Sequence, residues 1–380
     1  MKVVVYGAGQ LAQMMYLAGA PLGIEVQAVD VANGTMVNPI DKSSLNVPLE
    51  TAIFEAKCLT VEFEHVPVAL LNDAQASGKL APNMAAIRVG ADRVLEKKLL
   101  EKLKIANCQH RVITHVDQLD EALTLLGDKL ILKASLDGYD GYGQWRLEDK
   151  NALPELKQQL KDLDLLSVPL IAEQMLAFDR ELSLIGARAQ GGETAVYSLA
   201  ENLHHQGQLH VSVAPASQLT EGLISQAKDI FDKLANELDY VGVLAVEMFQ
   251  VGDQLLVNEI APRVHNSGHW SIQGAKTSQF ENHLRAVVDL PLGETDAIGV
   301  SAMINIIGCG SIGKELLSVP GSHLQWYGKS VRPKRKMGHI NVCAESYSQL
   351  AEQLALLKPN LPMEHFPMLE KEIARLRSLA

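Results

Sequence analysis

The first thirty residues restrict the fold more than any other stretch. Residues 2–6 (KVVVY) form a β-branched run that leads into Gly7-Ala8-Gly9-Gln10-Leu11-Ala12, and EVQAVD follows at 25–30. A strand, a glycine turn, a helix over roughly 10–19 and a second strand make a βαβ opening, so an N-terminal α/β unit is expected. Gly7, Gly9 and Ala12 match G-x-G-x-x-A, with Asp30 about twenty residues on. That is the shape of a dinucleotide fingerprint, in which N–H groups at a helix start hold a phosphate and the acid holds a ribose hydroxyl. On this motif alone an NAD-dependent dehydrogenase is a candidate. The motif is short, it also occurs in βαβ units that bind other phosphorylated ligands, and it explains nothing further along the chain. Dehydrogenase therefore ranks second.

A chain of 380 residues is too long for one compact core and suits two or three packed units. A net charge of -11 excludes the broad basic face of a nucleic-acid binder, but a local basic pocket for phosphates remains open. No apolar run is long enough to span a bilayer, and the start reads into a strand rather than a signal peptide. Cys58, Cys108, Cys309 and Cys343 lie far apart without CxxC spacing, which suits a reduced cytoplasmic protein better than a zinc site or a disulfide framework.

Further along, a strand is expected over 58–64 (CLTVEFE), and a helical pair over 84–104 with one charged and one aliphatic face. A helix at 117–127 precedes the strand KLILKAS, and LIAEQM and ELSLIGARA are further strands. A helix near 221–238 precedes the hairpin GVLAVEMFQ–VGD–QLLVNEI. Short apolar strands, a basic stretch and a closing helix follow from about 300. Unit boundaries are expected near 110, 185 and 295.

Three signals point to nucleotide chemistry. Lys133 ends an apolar strand and is followed by a loop with Gly138, Gly141 and Gly143. A strand-end ammonium serves as a point charge for phosphates, and a glycine loop covers them with N–H groups. Glu247 and Glu259 sit on the two arms of the hairpin; a three-residue loop would place them opposite each other, on the face of Phe249 and Val257. Opposed like charges destabilise a ladder unless a divalent cation reverses the sign, and Mg²⁺ takes hard oxygens. A one-residue difference in register would send the two to opposite faces. The run Asn258 to His269 then packs an acid, Arg263, two histidines and small polar residues into one loop, which suits an anionic ligand. A fourth signal is the basic stretch 329–336, flanked by HLQWY and HINVC. Pro333 and Gly338 are expected to shape its turn, which would face a pocket for a phosphate dianion, with Lys334 the residue left in solvent.

In order, GxGQL, ADR, the strand-end lysine, GYDGxGQ, EQ, the paired glutamates, NExAPRxHNSGH and RPxRKxGH resemble the N5-carboxyaminoimidazole ribonucleotide synthase family nearly end to end. The resemblance implies an ATP-grasp fold, α/β and α+β. Residues 1–110 would form the N-terminal α/β domain and 111–185 the lid. Residues 186–380 would form the larger C-terminal domain, with a small β-rich subdomain from about 295. Arg93 and Lys133 are the implied ATP-phosphate contacts, and Gly138, Tyr139, Asp140, Gly141, Tyr142, Gly143 and Gln144 the covering loop. Glu173, Gln174, Met175 and Leu176 would meet adenine, Glu181 the ribose, and His204 and Asn258 the nucleotide. Glu247 and Glu259 would hold Mg²⁺. Gly9, Gln10, Leu11, Glu62 or Glu64, Tyr139, Asp140, Arg263, His265, Asn266, Ser267, Lys329, Arg332, Arg335 and Lys336 would meet ribonucleotide and bicarbonate. Arg263, His265 and Lys133 would carry the chemistry.

Two positions depart from the usual pattern. Tyr142 stands where the family carries a basic residue, and Ala261 where many ATP-grasp ligases carry Asn, a change this family tolerates. The implied reaction joins bicarbonate to 5-aminoimidazole ribonucleotide at the expense of ATP, in a homodimer. A non-catalytic nucleotide-binding relative would be favoured by loss of Lys133 or of a metal glutamate, and all three residues are present.

Overall fold

The computed structural model describes residues 1–136, 138 and 143–379. A four-stranded sheet comes first, in the order Thr35–Val37, Glu25–Asp30, Lys2–Tyr6, Cys58–Val61. Its last three strands are parallel. Val3, Val4, Val5 and Tyr6 are all fully buried, as in a parallel strand covered on both faces. The last strand ends at Val61, short of the expected Glu64, and Glu62, Phe63 and Glu64 bend away from it. That bend carries two carboxylates toward the central cleft.

The helical stretch expected over 84–104 breaks at Asp92. This residue leaves helical geometry and its carboxylate accepts the Val94 N–H at 2.8 Å, starting a new helix, Arg93–Lys102. The expected solvated charged face is not what forms: Glu96 and Lys97 are each only 2% exposed. Lys97 pairs with the distant Glu173, and Glu96 accepts the distant Ile260 N–H while facing Arg93 and Lys97 of its own helix; a helical period cannot report the distant contacts.

A second sheet, His110–Ile113, Leu170–Gln174, Leu130–Ala134 and Gln144–Leu147, is antiparallel throughout. Helices Gln118–Leu126 and Leu153–Leu160 bury Leu119, Leu126, Leu156 and Leu160 against it. The third sheet has nine strands among the described residues. Its main order is Gln254–Ala261, Gly242–Val251, Arg180–Arg188, Ala200–His205, Gln208–Ala214, Val300–Ile307, Lys336–Ala344, Ser322–Trp326. The change of sheet falls between Gln174 and Arg180, and residue 185 lies inside a strand. The large sheet continues past 295, where Val211 pairs with Ile304, so the stretch beyond shares its sheet with the strands before it. Gly338 is also a strand residue, opposite Trp326, and not part of a turn. A Cβ there would lie 2.5 Å from the Gln325 carbonyl oxygen, so close strand approach explains the glycine. All four cysteines are free.

Candidate active site

The three sheets surround one cleft of about 1260 Å³. Most of the residues singled out from sequence meet there. On its floor lies the hairpin Gly242–Val251 and Gln254–Ala261, whose loop is two residues long, not three. From that turn alone Glu247 would oppose Asn258. A bulge between Glu247 and Met248 shifts the ladder by one residue, so that Glu247 pairs with Glu259. The shift lets Asn258 and Glu259 both line the cleft beside Glu247 and Phe249, whereas Val257 is buried in the core on the other side of the sheet.

The two carboxylates differ. Burial pushes Glu247 up to about 7; His204 opposes this, while Glu259 and Glu181 add to it. Burial acts on Glu259 as well, but Arg93 and Lys133 outweigh it and hold its carboxyl below the ordinary range. Arg93 Nη2 lies 3.2 Å from Glu259 Oε2. Among the described residues no group of three or more His, Cys, Asp or Glu could hold a metal alone. Two carboxylates and an amide oxygen therefore suit Mg²⁺ only with phosphate oxygens completing its shell.

Lys133, at the end of the strand Leu130–Ala134, donates to Asn258 Oδ1 at 3.0 Å and pairs with Glu173 at 2.7 Å. The Glu173 side chain does not line the cleft. Its other oxygen meets Lys97 at 2.6 Å. Burial works against its ionised form, but Lys133 and Lys97 hold it down at about 2. Beyond Lys133 the wall is apolar: Ile131, Met175, Leu176, Leu209 and a stacked pair, Phe178 and Phe249, with ring centroids 4.5 Å apart. Such a wall takes a flat aromatic base. Beside it Glu181 pairs with His204 at 2.7 Å. Burial lowers the His204 pKa, but Glu181 outweighs it and shifts it upward. Gly138 and Gln144 line the same end, while Gln174 and Gly143 do not. Tyr139, Asp140, Gly141 and Tyr142 lie outside the described residues.

The opposite end is basic. Lys329, Arg332, Lys334, Arg335 and Lys336 all line it, so Lys334, expected to stand in solvent, is exposed yet at the rim. Lys329 donates to Gln10 Oε1 and lies 5.4 Å from the centre of the Tyr327 ring. Burial, reinforced by Arg335, depresses the Lys329 ammonium to about 8. Arg335 Nη1 donates to Ser330 Oγ at 2.8 Å.

Gln10 and Leu11 line the cleft and Gly9 does not. Glu62 instead fills the glycine turn, accepting N–H groups from Gly9 and, at 3.0 Å, from Ala12. A Cβ on Gly7 would lie 2.3 Å from Glu62 Cγ. The glycines make room for a carboxylate of this same chain, where a dinucleotide phosphate would sit, and the dehydrogenase reading falls on that contact. Glu64 pairs with Arg263 Nε at 2.7 Å, so the two acids serve different partners and both line the cleft. His265 Nδ1 lies 2.9 Å from Ser267 Oγ and 3.7 Å from Glu247 Oε1. Ser267 is fully buried and supports the histidine from behind. Asn266 exchanges amide hydrogen bonds with Asn305 at 3.1 and 2.7 Å. Phe178, Arg146 and Leu209 also line the cleft, and no sequence motif had singled them out. The alternation of the strand Gln144–Leu147 could have shown Arg146; nothing local marks Phe178.

A lid sheet and a large antiparallel sheet facing one another across a lysine, an arginine and paired carboxylates define an ATP-grasp ligase. The ribonucleotide synthetase preATP-grasp domain matches residues 1–91, the ATP-grasp domain 98–280, and the phosphoribosylaminoimidazole carboxylase C-terminal domain 301–353. N5-carboxyaminoimidazole ribonucleotide synthase of Vibrio cholerae is 49% identical over 373 residues, covering 97% of each chain. That of Escherichia coli is 38% identical, covering 96% of each. The crystal structure of the synthetase from Thermus thermophilus superposes with a TM-score of 0.84 at 38% identity, over 95% of this chain and 98% of that one. The Aspergillus clavatus enzyme in complex with ADP and 5-aminoimidazole ribonucleotide gives 0.82 at 29% identity, over 94% and 98%. The chain belongs to the N5-carboxyaminoimidazole ribonucleotide synthase family.

Proposed function

We propose that the protein carboxylates the exocyclic amine of 5-aminoimidazole ribonucleotide with bicarbonate and ATP, giving N5-carboxyaminoimidazole ribonucleotide, ADP and phosphate in purine biosynthesis. One observation carries this reading. One cleft has two cationic ends, Lys133 with Arg93 and the basic stretch at 329–336, with Arg263 and His265 lining it as well. The Glu247–His265 contact ties the histidine to the carboxylate pair; Arg263 pairs with Glu64, two residues beyond the Glu62 that holds the glycine turn beside Gln10, the residue Lys329 meets.

Arg93 and Lys133 hold the nucleotide phosphates, and Arg263 holds bicarbonate. A bicarbonate oxygen attacks the γ-phosphorus, ADP leaves, and carboxyphosphate forms. The amine nitrogen then bonds to the carboxyl carbon, phosphate leaves, and His265, oriented by Ser267, accepts the amine proton. Glu247, Glu259 and Asn258 would hold Mg²⁺, which would supply charge neutralisation on the transferring phosphoryl group. Lys329 and Arg335 hold the substrate 5′-phosphate. Gly138 and Gln144 line the cleft at the nucleotide end, where exclusion of water protects an unstable acyl phosphate.

A homodimer and a cytoplasmic location belong to the same reading. Four free cysteines support the second, and among the described residues no helix is long and apolar enough to cross a membrane. The deciding experiment is ADP release with each substrate omitted in turn. ADP formation should rise with the ribonucleotide, and carboxylated product should require bicarbonate. Tight NADH binding without ATP binding would overturn the assignment. Sedimentation tests the dimer.

A further inference from the structure

The helix Arg93–Lys102 carries Arg93, Glu96 and Lys97 at i, i+3 and i+4, one face of a helix. That face turns inward. Glu96 accepts the Ile260 N–H, Arg93 meets Glu259, and Lys97 meets Glu173. Lys97 neither lines the cleft nor reaches solvent, and the proposed reaction leaves it without a task. Burying an ammonium costs several kcal/mol unless it is paired, so its presence calls for a physical reason.

The pairing supplies one. Glu173 gives one oxygen to Lys97 at 2.6 Å and the other to Lys133 at 2.7 Å. Were Lys133 alone with Glu173, the buried pair would sum to zero, and the lysine would offer a phosphate little net charge. With Lys97 the triad sums to plus one; the adjacent Glu96, pushed up to about 7 by burial, is faced by Arg93 as well as by Lys97. The second lysine also occupies one side of the carboxylate, which confines Lys133 to the other oxygen, within reach of Asn258 and beside the cleft. We propose that Lys97 is a positioning residue of the nucleotide site: by sharing Glu173 it leaves Lys133 a net positive charge directed at the ATP phosphates. The inference rests on the ATP-site reading above.

A double-mutant cycle tests it, with ATP affinity measured by calorimetry and steady-state kinetics on the whole enzyme. Lys97→Met should weaken ATP about tenfold, the equivalent of about 1.4 kcal/mol. It should leave the KM for the ribonucleotide within about twofold and flatten the salt dependence of ATP binding. Lys97→Arg should retain most of the affinity. The double variant Lys97→Met/Glu173→Gln removes one charge of each sign, returns the net plus one to Lys133, and should recover affinity relative to Lys97→Met. A merely structural lysine predicts the opposite: parallel losses for both substrates that follow the melting temperature, with the double variant no better than the single. That result overturns the proposal. Lys133→Met separates the two levels. If it leaves ATP affinity unchanged, the ATP-site reading falls and this inference with it. If it weakens ATP while Lys97→Met does not, the inference alone falls.

Discussion

Glu247 and Glu259 face each other across the central hairpin because a bulge beside Glu247 corrects a register that the two-residue turn would have set one residue off. Their surroundings make them unequal. Arg93 neutralises Glu259, whereas His204 only partly offsets the burial of Glu247. A divalent cation bound with nucleotide phosphates, as proposed above, would reverse their repulsion.

Glu247→Gln and Glu259→Gln should each remove most turnover at saturating Mg²⁺. Thermal melting of the two should differ. Glu247→Gln relieves a buried carboxylate with a raised pKa of about 7 and should be neutral or stabilising. Glu259→Gln removes the charge that the buried Arg93 pairs with and should cost roughly 1–3 kcal/mol. Full Mg²⁺-dependent activity in either variant would refute the metal assignment.

Ribonucleotide binding should be pH-dependent through Lys329, whose ammonium burial and Arg335 bring down to about 8. A bound phosphate dianion raises that pKa, so affinity is fully present below it and is lost as pH rises through it. The phosphate becomes a dianion above about pH 6, so the KM for the ribonucleotide should be lowest between roughly 6 and 8. Lys329→Met should abolish the rise above about pH 8. A profile that keeps it would point to another group.

Arg335→Ala should raise the KM for the ribonucleotide by roughly ten- to a hundredfold, about 1.4–2.8 kcal/mol, with ATP affinity barely changed. An equal loss for ATP would place the substrate phosphate elsewhere.

Glu62→Ala should destabilise the fold by roughly 1–2 kcal/mol, because it strips the acceptor from two N–H groups at the start of the helix Gln10–Gly19. An unchanged melting temperature would show that solvent replaces the carboxylate without cost.

Gly90→Ala tests packing under the segment that carries Pro262 and Arg263. A Cβ there would lie 2.2 Å from Pro262 Cδ, next to Arg263. The loop must shift, at a cost of roughly 1–3 kcal/mol, and kcat should fall more than the KM for ATP. Crystallography or thermal melting that shows neither shift nor loss would rule out the contact.

The sequence by itself determined the opening strand–helix–strand, the hairpin with its two acids, the loop with Arg263 and His265, and the basic stretch between apolar strands. These are local matters: side-chain period, turn composition, and concentration of polar groups in a short run report what neighbouring residues do. Only the tertiary structure decided where the charges went. Glu62 closes the glycine turn that a short motif had offered to a dinucleotide. A bulge aligned Glu247 with Glu259, and Val257 went to the core. Lys97 and Glu96, written on what looked like a solvated helix face, are buried because Glu173 and the Ile260 N–H approach from other sheets. A charge is buried only where partners from distant segments compensate its desolvation, and no local pattern records which segments will meet.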